Sequence, residues 1–426
     1  MNINWNANIT PVAKGNKLFE IFDICSYQKI VDEYIKLDSA QKSIYKGQED
    51  YVVQHGGPDL SSLNRNYKKM RDEIDSRLSS GSIPEILTID MHLQERLIPD
   101  LLCSLENDNY IKEIYPTKKM RVRDGLNTTE ANVLMECIRQ GRSLLQAGRE
   151  AGMIAKPLID FYAASAYAYA IIVINSPLHK SIASLKGSHG HSYDHKNSSI
   201  DFGGNVPSGT FLDLLGAIPV AHITTAGINL KYSLIHSIDM VQNNNVSISL
   251  LSLLAMVPEI NKLYELYDNK HRCVHKLNVD IQTVNAKATY NFYIGDGIHR
   301  PNLNNLKEQF KTENIKDNYG SFIVSVAMDD IKDICPTIYQ DARGHLWYVE
   351  SPIEGLVLPE ICLHFLIISA LCNIMRYSPH EWSNILNNKI SSPFSLLISE
   401  YIRLFEEKFP MLVVQYLTNY LPILSE

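Results

Sequence analysis

Residues 361–382 read ICLHFLIISALCNIM followed by RYSPHEW, so fifteen mostly apolar residues lead into a dense polar and aromatic end. Pro359 and Glu360 stand just before this stretch. Both suit the first turn of a helix, because proline has no N–H to lose there and an acid interacts favourably with the positive end of the helix dipole. The stretch therefore predicts a buried helix that ends near Tyr377.

Caps, prolines and helical spacing predict further helices on both sides of this one. Asn127 or Thr128 can cap a helix that runs to about residue 147, and Pro157 opens another over residues 156–175. The alanines of that second helix permit close packing, and its tyrosines bring hydroxyls that need partners. More helices are predicted over residues 26–45, 64–78, 87–105, 211–215, 247–267, 394–409 and 411–420, the last of them opened by Pro410.

The pattern changes beyond Cys273, where residues 277–282 alternate apolar and polar side chains as a half-buried strand does. Further strands are predicted over residues 290–294, 322–327 and 346–349. We therefore predict a mainly α protein, with a helical core, a small antiparallel β insertion and an N-terminal helical extension. Its expected parts are the extension (1–125), the first half of the core (126–270), the β-rich insertion (271–355) and a C-terminal helical segment that completes the core (356–426).

Composition limits the class of function. Forty lysines and arginines stand against forty-seven aspartates and glutamates, a net charge of −7, so any contact with nucleic acid must be local. The longest apolar runs, residues 161–174 and 361–375, are shorter than the roughly 18 to 20 residues of a membrane span. Seven cysteines form no Cys-x-x-Cys pair, which favours free thiols. We expect a cytoplasmic protein with no membrane segment.

Known cofactor and nucleophile motifs are missing: the chain has no Walker A loop, dinucleotide-binding glycine fingerprint or nucleophile elbow. No cofactor is predicted. The polar segment 181–209 is too long for a plain connector and holds His189, His191, Asp194 and His195. Imidazole and carboxylate groups can bind zinc, but this spacing matches no metal motif and a solvated loop explains it equally well. We predict no metal site.

Two cationic groups of residues remain. Lys118, Lys119, Arg121 and Arg123 could contact phosphate or form a solvated edge. Arg376 and His380 offer a guanidinium for a developing negative charge and an imidazole that exchanges protons near neutral pH, which suffices for metal-free RNA cleavage at a 2′-hydroxyl.

The alternative for Arg376 is architectural. In it, the guanidinium pairs with Glu381 or Glu400, and Trp382 packs under the helix corner. Because Pro379 stands between Arg376 and His380, the two need not share one helical face.

Several phrases together resemble the bacterial YaaC-like proteins, over about residues 129–420. They are Gly141-Arg142-Ser143-Leu144-Leu145, Lys156-Pro157-Leu158-Ile159-Asp160-Phe161-Tyr162, Ser188-His189-Gly190, Ser208-Gly209-Thr210-Phe211, Leu253-Leu254, Val257-Pro258-Glu259-Ile260 and residues 376–382. The family has no established catalytic residues to transfer. Within these phrases we predict Lys156, Tyr162, His189 and Trp382 as binding residues.

The helical core with a late Arg and His is also similar to ribonucleases of the HEPN type, which place four to six residues between the two. Here Arg376 and His380 are separated by three residues. We therefore carry two main hypotheses: a cytosolic interaction protein, oligomeric or bound to partner proteins and active in anti-phage defence, and a HEPN-like endoribonuclease that uses Arg376 and His380. A third is a metal-dependent hydrolase around His189, His191 and His195.

Overall fold

A computed structural model describes residues 75–79, 84–107, 109–113, 128–176, 185, 188–202, 209–225, 228–234, 237–238, 241, 246–268, 273–284, 287–296, 300–418 and 420–425. The helix predicted over residues 26–45, most of that over 64–78 and the basic segment 118–123 lie outside these residues.

The principal helices follow one another along the whole described chain. They are α1 (Gln94–Ser104), α2 (Thr128–Glu150), α3 (Lys156–Asn175), α4 (Thr210–Ala217), α5 (Leu250–Ala255), α6 (Asn261–Tyr267), α7 (Leu303–Phe310), α8 (Glu360–Tyr377), α9 (Pro379–Leu386) and α10 (Ser392–Leu417). The predictions for α2, α3 and α8 are confirmed closely.

Helices α2, α3, α8 and α10 form the helical core, with α3 in contact with the other three. The α2–α3 contact is close because glycines of α2 face large or polar groups of α3. A Cβ at Gly141 would lie 2.9 Å from the ring of Tyr167, and one at Gly148 would lie 2.2 Å from Oδ1 of Asp160. Helices α3 and α8 are long and apolar enough to span a membrane by length and composition alone. In each helix, 78% of the 18-residue apolar stretch is buried in the fold.

The two C-terminal helices predicted on either side of Pro410 are one continuous helix, α10, so that prediction is wrong. Pro410 has no N–H to donate to the carbonyl of Glu406 four residues earlier, and such a loss normally breaks a helix. In this fold Nη2 of Arg149 donates to that carbonyl at 2.8 Å. A guanidinium from α2 therefore replaces the missing backbone donor and lets α10 continue.

The strands are more numerous than predicted. They are β1 (Glu85–Asp90), β2 (Ser192–Asp194), β3 (Ser199–Phe202), β4 (Val220–Thr225), β5 (Ile228–Ser233), β6 (Val246–Ser249), β7 (Val274–Val284), β8 (Lys287–Ile294), β9 (Ile315–Asn318), β10 (Ser321–Ala327), β11 (Ile338–Gln340), β12 (Leu346–Val349) and β13 (Tyr420–Ser425).

These strands form a six-stranded antiparallel sheet in the order β11-β12-β7-β8-β10-β9, a three-stranded sheet β2-β3-β6, the hairpin β4-β5 and the parallel pair β1-β13. In the large sheet Phe292 stands opposite Val279 on one side and Val324 on the other, and the ring of Phe310 from α7 lies 4.8 Å from that of Phe292. The predicted strands of this region are thus confirmed, as half-buried strands under a helix.

The predicted fold class, mainly α with a small β insertion, is wrong: the protein has mixed α and β structure. Strands occur in each of the four predicted parts, and the helix expected over residues 87–105 begins only at Gln94, after strand β1. Strand β1 pairs in parallel with β13, with Glu85 opposite Tyr420. Such short strands are stabilised by partners distant in sequence, so their local patterns do not distinguish them from helix or loop.

Asp160 of α3 is fully buried, and neither of its carboxylate oxygens has a hydrogen-bond partner among the described residues. Burial, with a smaller contribution from the charge of Glu406, raises the pKa of this carboxyl to about 8 against the opposing charges of Lys156 and Arg149. A buried acid without partners is tolerated most easily when it is neutral. Asp160 is therefore expected to hold its proton in the folded protein at neutral pH.

We predict that Asp160→Asn stabilises the protein increasingly as the pH rises from 5 to 8. The folded-state pKa lies above the unfolded-state value, so the folded protein binds the extra proton in this range and wild-type stability falls as pH rises. The asparagine amide does not titrate in this range. The difference in unfolding free energy between the variant and the wild type should therefore widen by about 2 kcal/mol or more from pH 5 to pH 8.

Urea unfolding at several pH values measures this difference. Asp100→Asn, at an exposed aspartate of α1, is the matched control and should change stability equally at every pH. Parallel curves for Asp160→Asn and wild type would refute the proton uptake at Asp160.

Candidate functional site

Helix α8 ends where the sequence predicts, and the break decides how Arg376 and His380 are placed. Ser378 has φ −132° and ψ 58°, and Pro379 lies in the first turn of α9. This follows from the steric clash between a proline ring and the residue before it, which disfavours helical geometry at that residue. Arg376 is therefore in the last turn of one helix and His380 in the first turn of the next, both exposed.

The guanidinium of Arg376 is exposed and lies over the ring of Tyr377. Its Cζ is 4.9 Å from the ring centroid of Tyr377, and it also donates to the thiol of Cys372. Among the described residues it forms no ion pair, so the expected pairing with Glu381 or Glu400 is not found. Glu400 pairs instead with Arg403. The charge of Arg376 is thus accessible to a ligand.

The histidine-rich segment lies beside the end of α8. Nδ1 of His191 donates to the carbonyl of His189 at 3.1 Å, so its Nε2 accepts from the hydroxyl of Ser369 at 2.7 Å. Burial lowers the pKa of His191 to about 4, with a smaller contribution from His189. His191 is therefore a neutral side chain that fastens the segment to α8.

His195 contacts the turn between α8 and α9. Its Nδ1 lies 3.0 Å from the hydroxyl oxygen of Ser378, and its ring meets those of Tyr193 and Tyr377 edge to face at 4.9 Å and 6.2 Å. The short hairpin of β2 and β3 carries His195 to this position. Both hairpin and turn are local structures, but their contact joins residues far apart in the chain.

His189 has an imidazole whose pKa depends on the charge of Arg376. Its ring packs edge to face on Phe161 of α3 at a centroid distance of 4.9 Å, and its side chain remains exposed. Partial burial lowers the pKa of His189, and the charge of Arg376 lowers it further. The structure thus puts a mainly neutral imidazole within the electrostatic reach of an unpaired guanidinium.

We call Arg376, Tyr377, Ser378, His189 and His195 the corner site. Two acids lie near its edge, since Glu381 and Asp194 both act on the neighbouring Tyr193. Asp194 is engaged in the hairpin turn, where it accepts from the backbone of Lys196 at 2.8 Å and from the side chain of Asn197 at 2.6 Å. The corner site therefore offers one permanent positive charge, two accessible imidazoles and an exposed aromatic ring.

The histidines of the segment do not converge on one point. His191 and His195 each contact a different serine, and across the part of the chain that the structure describes no three His, Cys, Asp or Glu side chains are grouped to hold a metal ion. The geometry gives the hypothesis of a metal-dependent hydrolase no support.

The other predicted site residues are scattered. Lys156 is buried and its Nζ lies 2.5 Å from Oε1 of Glu406. Trp382 is buried and its indole N–H donates to the carbonyl of Met153 at 3.2 Å. Tyr162 is 47% exposed, beside the Phe161 that supports His189. Lys156 and Trp382 thus stabilise the fold, whereas Tyr162 can reach a ligand.

The sequence analysis singled out both segments of the corner site, residues 181–209 and 376–382, but did not predict that they are in contact. No local signal pairs His195 with Ser378 or His189 with Arg376. The signal that was available, an aromatic and histidine content unusual for a turn, appears in both segments separately.

We predict that an NMR titration finds the imidazole pKa of His189 below its ordinary value of 6.5, and that Arg376→Gln raises it. Removing a positive charge makes protonation of the ring easier. Arg403→Gln, at an exposed arginine of α10, should leave the titration unchanged. An unaltered His189 pKa in the Arg376 variant would mean that the two side chains do not act on each other.

Comparison with known proteins places the chain in a family. A family model described as YaaC-like Protein matches residues 103–417, which begins before the resemblance noted at about residue 129 and covers well over half of the 426 residues. Neither the curated proteins nor the solved structures contain a match. The chain belongs to the YaaC-like protein family.

Proposed function

We propose that this YaaC-like protein is a cytosolic interaction protein that binds single-stranded RNA at the corner site. The observation that carries the proposal is the exposed guanidinium of Arg376, which forms no ion pair with a described residue and whose charge lowers the pKa of His189. An accessible guanidinium binds a phosphate through charge-assisted hydrogen bonds.

Aromatic side chains favour a single strand over a duplex. Tyr377 is 60% exposed and Tyr162 is 47% exposed. Unpaired bases can stack on such rings, at about 1–3 kcal/mol per base, whereas the bases of a duplex are already stacked. Because the whole protein carries a net charge of −7, attraction to phosphate must be local, at a cation such as Arg376.

We predict that Arg376→Ala weakens RNA binding and reduces the salt dependence of the binding constant. Each phosphate that the variant no longer neutralises should make the slope of log K against log salt shallower by about 0.7 for a single strand. Fluorescence anisotropy with a labelled single-stranded RNA at several salt concentrations measures both quantities. Arg403→Ala is the matched control, since Arg403 is exposed but pairs with Glu400. An Arg376 variant with wild-type affinity and slope would remove the proposal.

Cleavage of the bound RNA is a second candidate function, favoured by the lowered pKa of His189. A neutral imidazole can take the proton of a ribose 2′-hydroxyl, whose oxygen then attacks the adjacent phosphorus. The bond to the 5′-oxygen breaks, that oxygen takes a proton from His195 or water, and a 2′,3′-cyclic phosphate remains. Arg376 would stabilise the extra negative charge on the phosphorane.

In this proposal the base is His189. The HEPN-like reading of the sequence would instead require His380 as the base. We predict that cleavage in EDTA falls by about a hundredfold or more in His189→Ala, the usual contribution of a general base, and changes little in His380→Ala. A DNA strand of the same sequence, which has no 2′-hydroxyl, should stay intact.

Gel analysis of end-labelled RNA distinguishes the possible results. A loss of cleavage in His380→Ala with little change in His189→Ala would restore the pair Arg376 and His380. Binding without cleavage would leave only the interaction function. Homo-oligomeric assembly, protein partners, cytoplasmic location and a part in anti-phage defence stay predictions.

A further inference from the structure

A cavity of about 260 Å³ lies between α1, α2, α3 and α10, away from the corner site. Pro99 of α1 and Pro410 of α10 both line it, and each stands inside its helix. A proline within a helix pushes the preceding turn aside and leaves a carbonyl without its donor. Both helices thus present a proline to the same cavity.

The inner wall is apolar apart from one hydroxyl. Leu102, Leu145 and Tyr167 line the cavity, and all three are buried. The Tyr167 hydroxyl has no hydrogen-bond partner among the described residues, although a buried polar group left in this way costs about 1–3 kcal/mol. Gly141 holds the ring of Tyr167 in place, since a Cβ there would lie only 2.9 Å from it.

Two guanidinium groups line the same cavity nearer to the surface. Both arginines line the cavity together with Tyr167. Burial raises the pKa of Tyr167 and the charge of Glu106 adds to the rise, whereas the charges of Arg142 and Arg149 oppose it. Arg142 donates from Nε and Nη2 to the carboxylate of Glu106, at 2.5 Å and 3.2 Å. Arg149 donates from Nη2 to the backbone carbonyl of Glu406. Each arginine therefore keeps N–H donors that no described residue takes up.

Two carboxylates bear on the cavity: Glu95 in its lining and Glu106, which pairs with Arg142 and acts on Tyr167. Glu95 is the only carboxylate among the nine described residues that line the cavity, and it is exposed on α1. An anionic group between Arg142 and Arg149 would meet the hydroxyl of Tyr167, the guanidinium of Arg149 and the N–H donors of Arg142 that its ion pair with Glu106 leaves over. The space is sufficient, because a cavity of about 150 Å³ can already hold a benzene ring.

We propose that this cavity binds a small organic anion, a phosphate monoester or a carboxylate with an apolar body. Arg142 and Arg149 hold the anionic group, the Tyr167 hydroxyl donates a hydrogen bond to it, and the apolar body lies against Leu102 and Leu145. The proposal is independent of the corner site and of RNA.

Calorimetric titration of the full chain tests the proposal with phenyl phosphate and benzoate as probes. Inorganic phosphate and benzyl alcohol supply the anion alone and the apolar body alone. Phenyl phosphate or benzoate should bind at least about tenfold more tightly than either part, because both halves of the cavity are then used. The stronger of the two probes tells a phosphate site from a carboxylate site.

Variants locate the binding. Gln146→Trp places an indole at the exposed side of the cavity and should abolish binding, whereas Gln140→Trp, on the same helix and equally exposed but outside the lining, should not. Tyr167→Phe should weaken binding about tenfold, the effect of one hydrogen bond, while the melting temperature stays equal or rises because the unpaired hydroxyl is gone.

The proposal is overturned if neither probe binds the wild-type chain more tightly than benzyl alcohol and inorganic phosphate. It is also overturned if Gln146→Trp binds as the wild type does. A lower melting temperature in Tyr167→Phe would show that the hydroxyl serves the fold and not a ligand.

Discussion

Glu406 is the residue on which the helical core depends, because it joins three helices through two different groups. Its backbone carbonyl accepts from Arg149 of α2, and its carboxylate pairs with Lys156 at the start of α3. Lys156 also donates to the carbonyl of Arg149 at 3.3 Å. Removing one partner from a buried pair of this kind typically destabilises a protein by about 3–5 kcal/mol, since the other charge stays buried. The same contacts let α10 pass Pro410 without ending.

A second buried cluster of charged residues holds the N-terminal end of α8. Lys408 of α10 donates to both Glu259 and Glu360, and Glu360 is the first residue of α8. Burial raises the pKa of Glu360 and the charge of Lys408 opposes that rise. Since α8 is held at its start by this cluster and along its length by apolar packing, its last turn presents Arg376 from a rigid element. His195 comes from the β2–β3 hairpin and His189 from the segment just before it, which His191 fastens to α8.

The helical core buries several polar side chains. Within the described part of the chain, Asp160 and the hydroxyl of Tyr167 lie on α3 and have no hydrogen-bond partners, and Nε2 of His364 on α8 has none either. His364 is also buried, and its Nδ1 lies 3.2 Å from the hydroxyl of Tyr401. Each such group lowers stability, and the loss is smaller when the group is neutral and is offset when the group meets a ligand. Asp160 is consistent with the first case, and Tyr167, which lines a cavity, with the second.

The sequence by itself determined the helices α2, α3 and α8, because each is long and has start signals within a few residues: Thr128, Pro157 and Glu360. It also determined four of the six strands of the large sheet, β7, β8, β10 and β12, but not the short β9 and β11, and it determined the family to which the chain belongs. Only the tertiary structure decided the rest. The pairing of β1 with β13, the continuity of α10 past Pro410 and the effect of the Arg376 charge on His189 all join residues distant in sequence. A local pattern records the propensity of its own residues, whereas these features depend on hydrogen bonds and charges supplied by other elements of the fold.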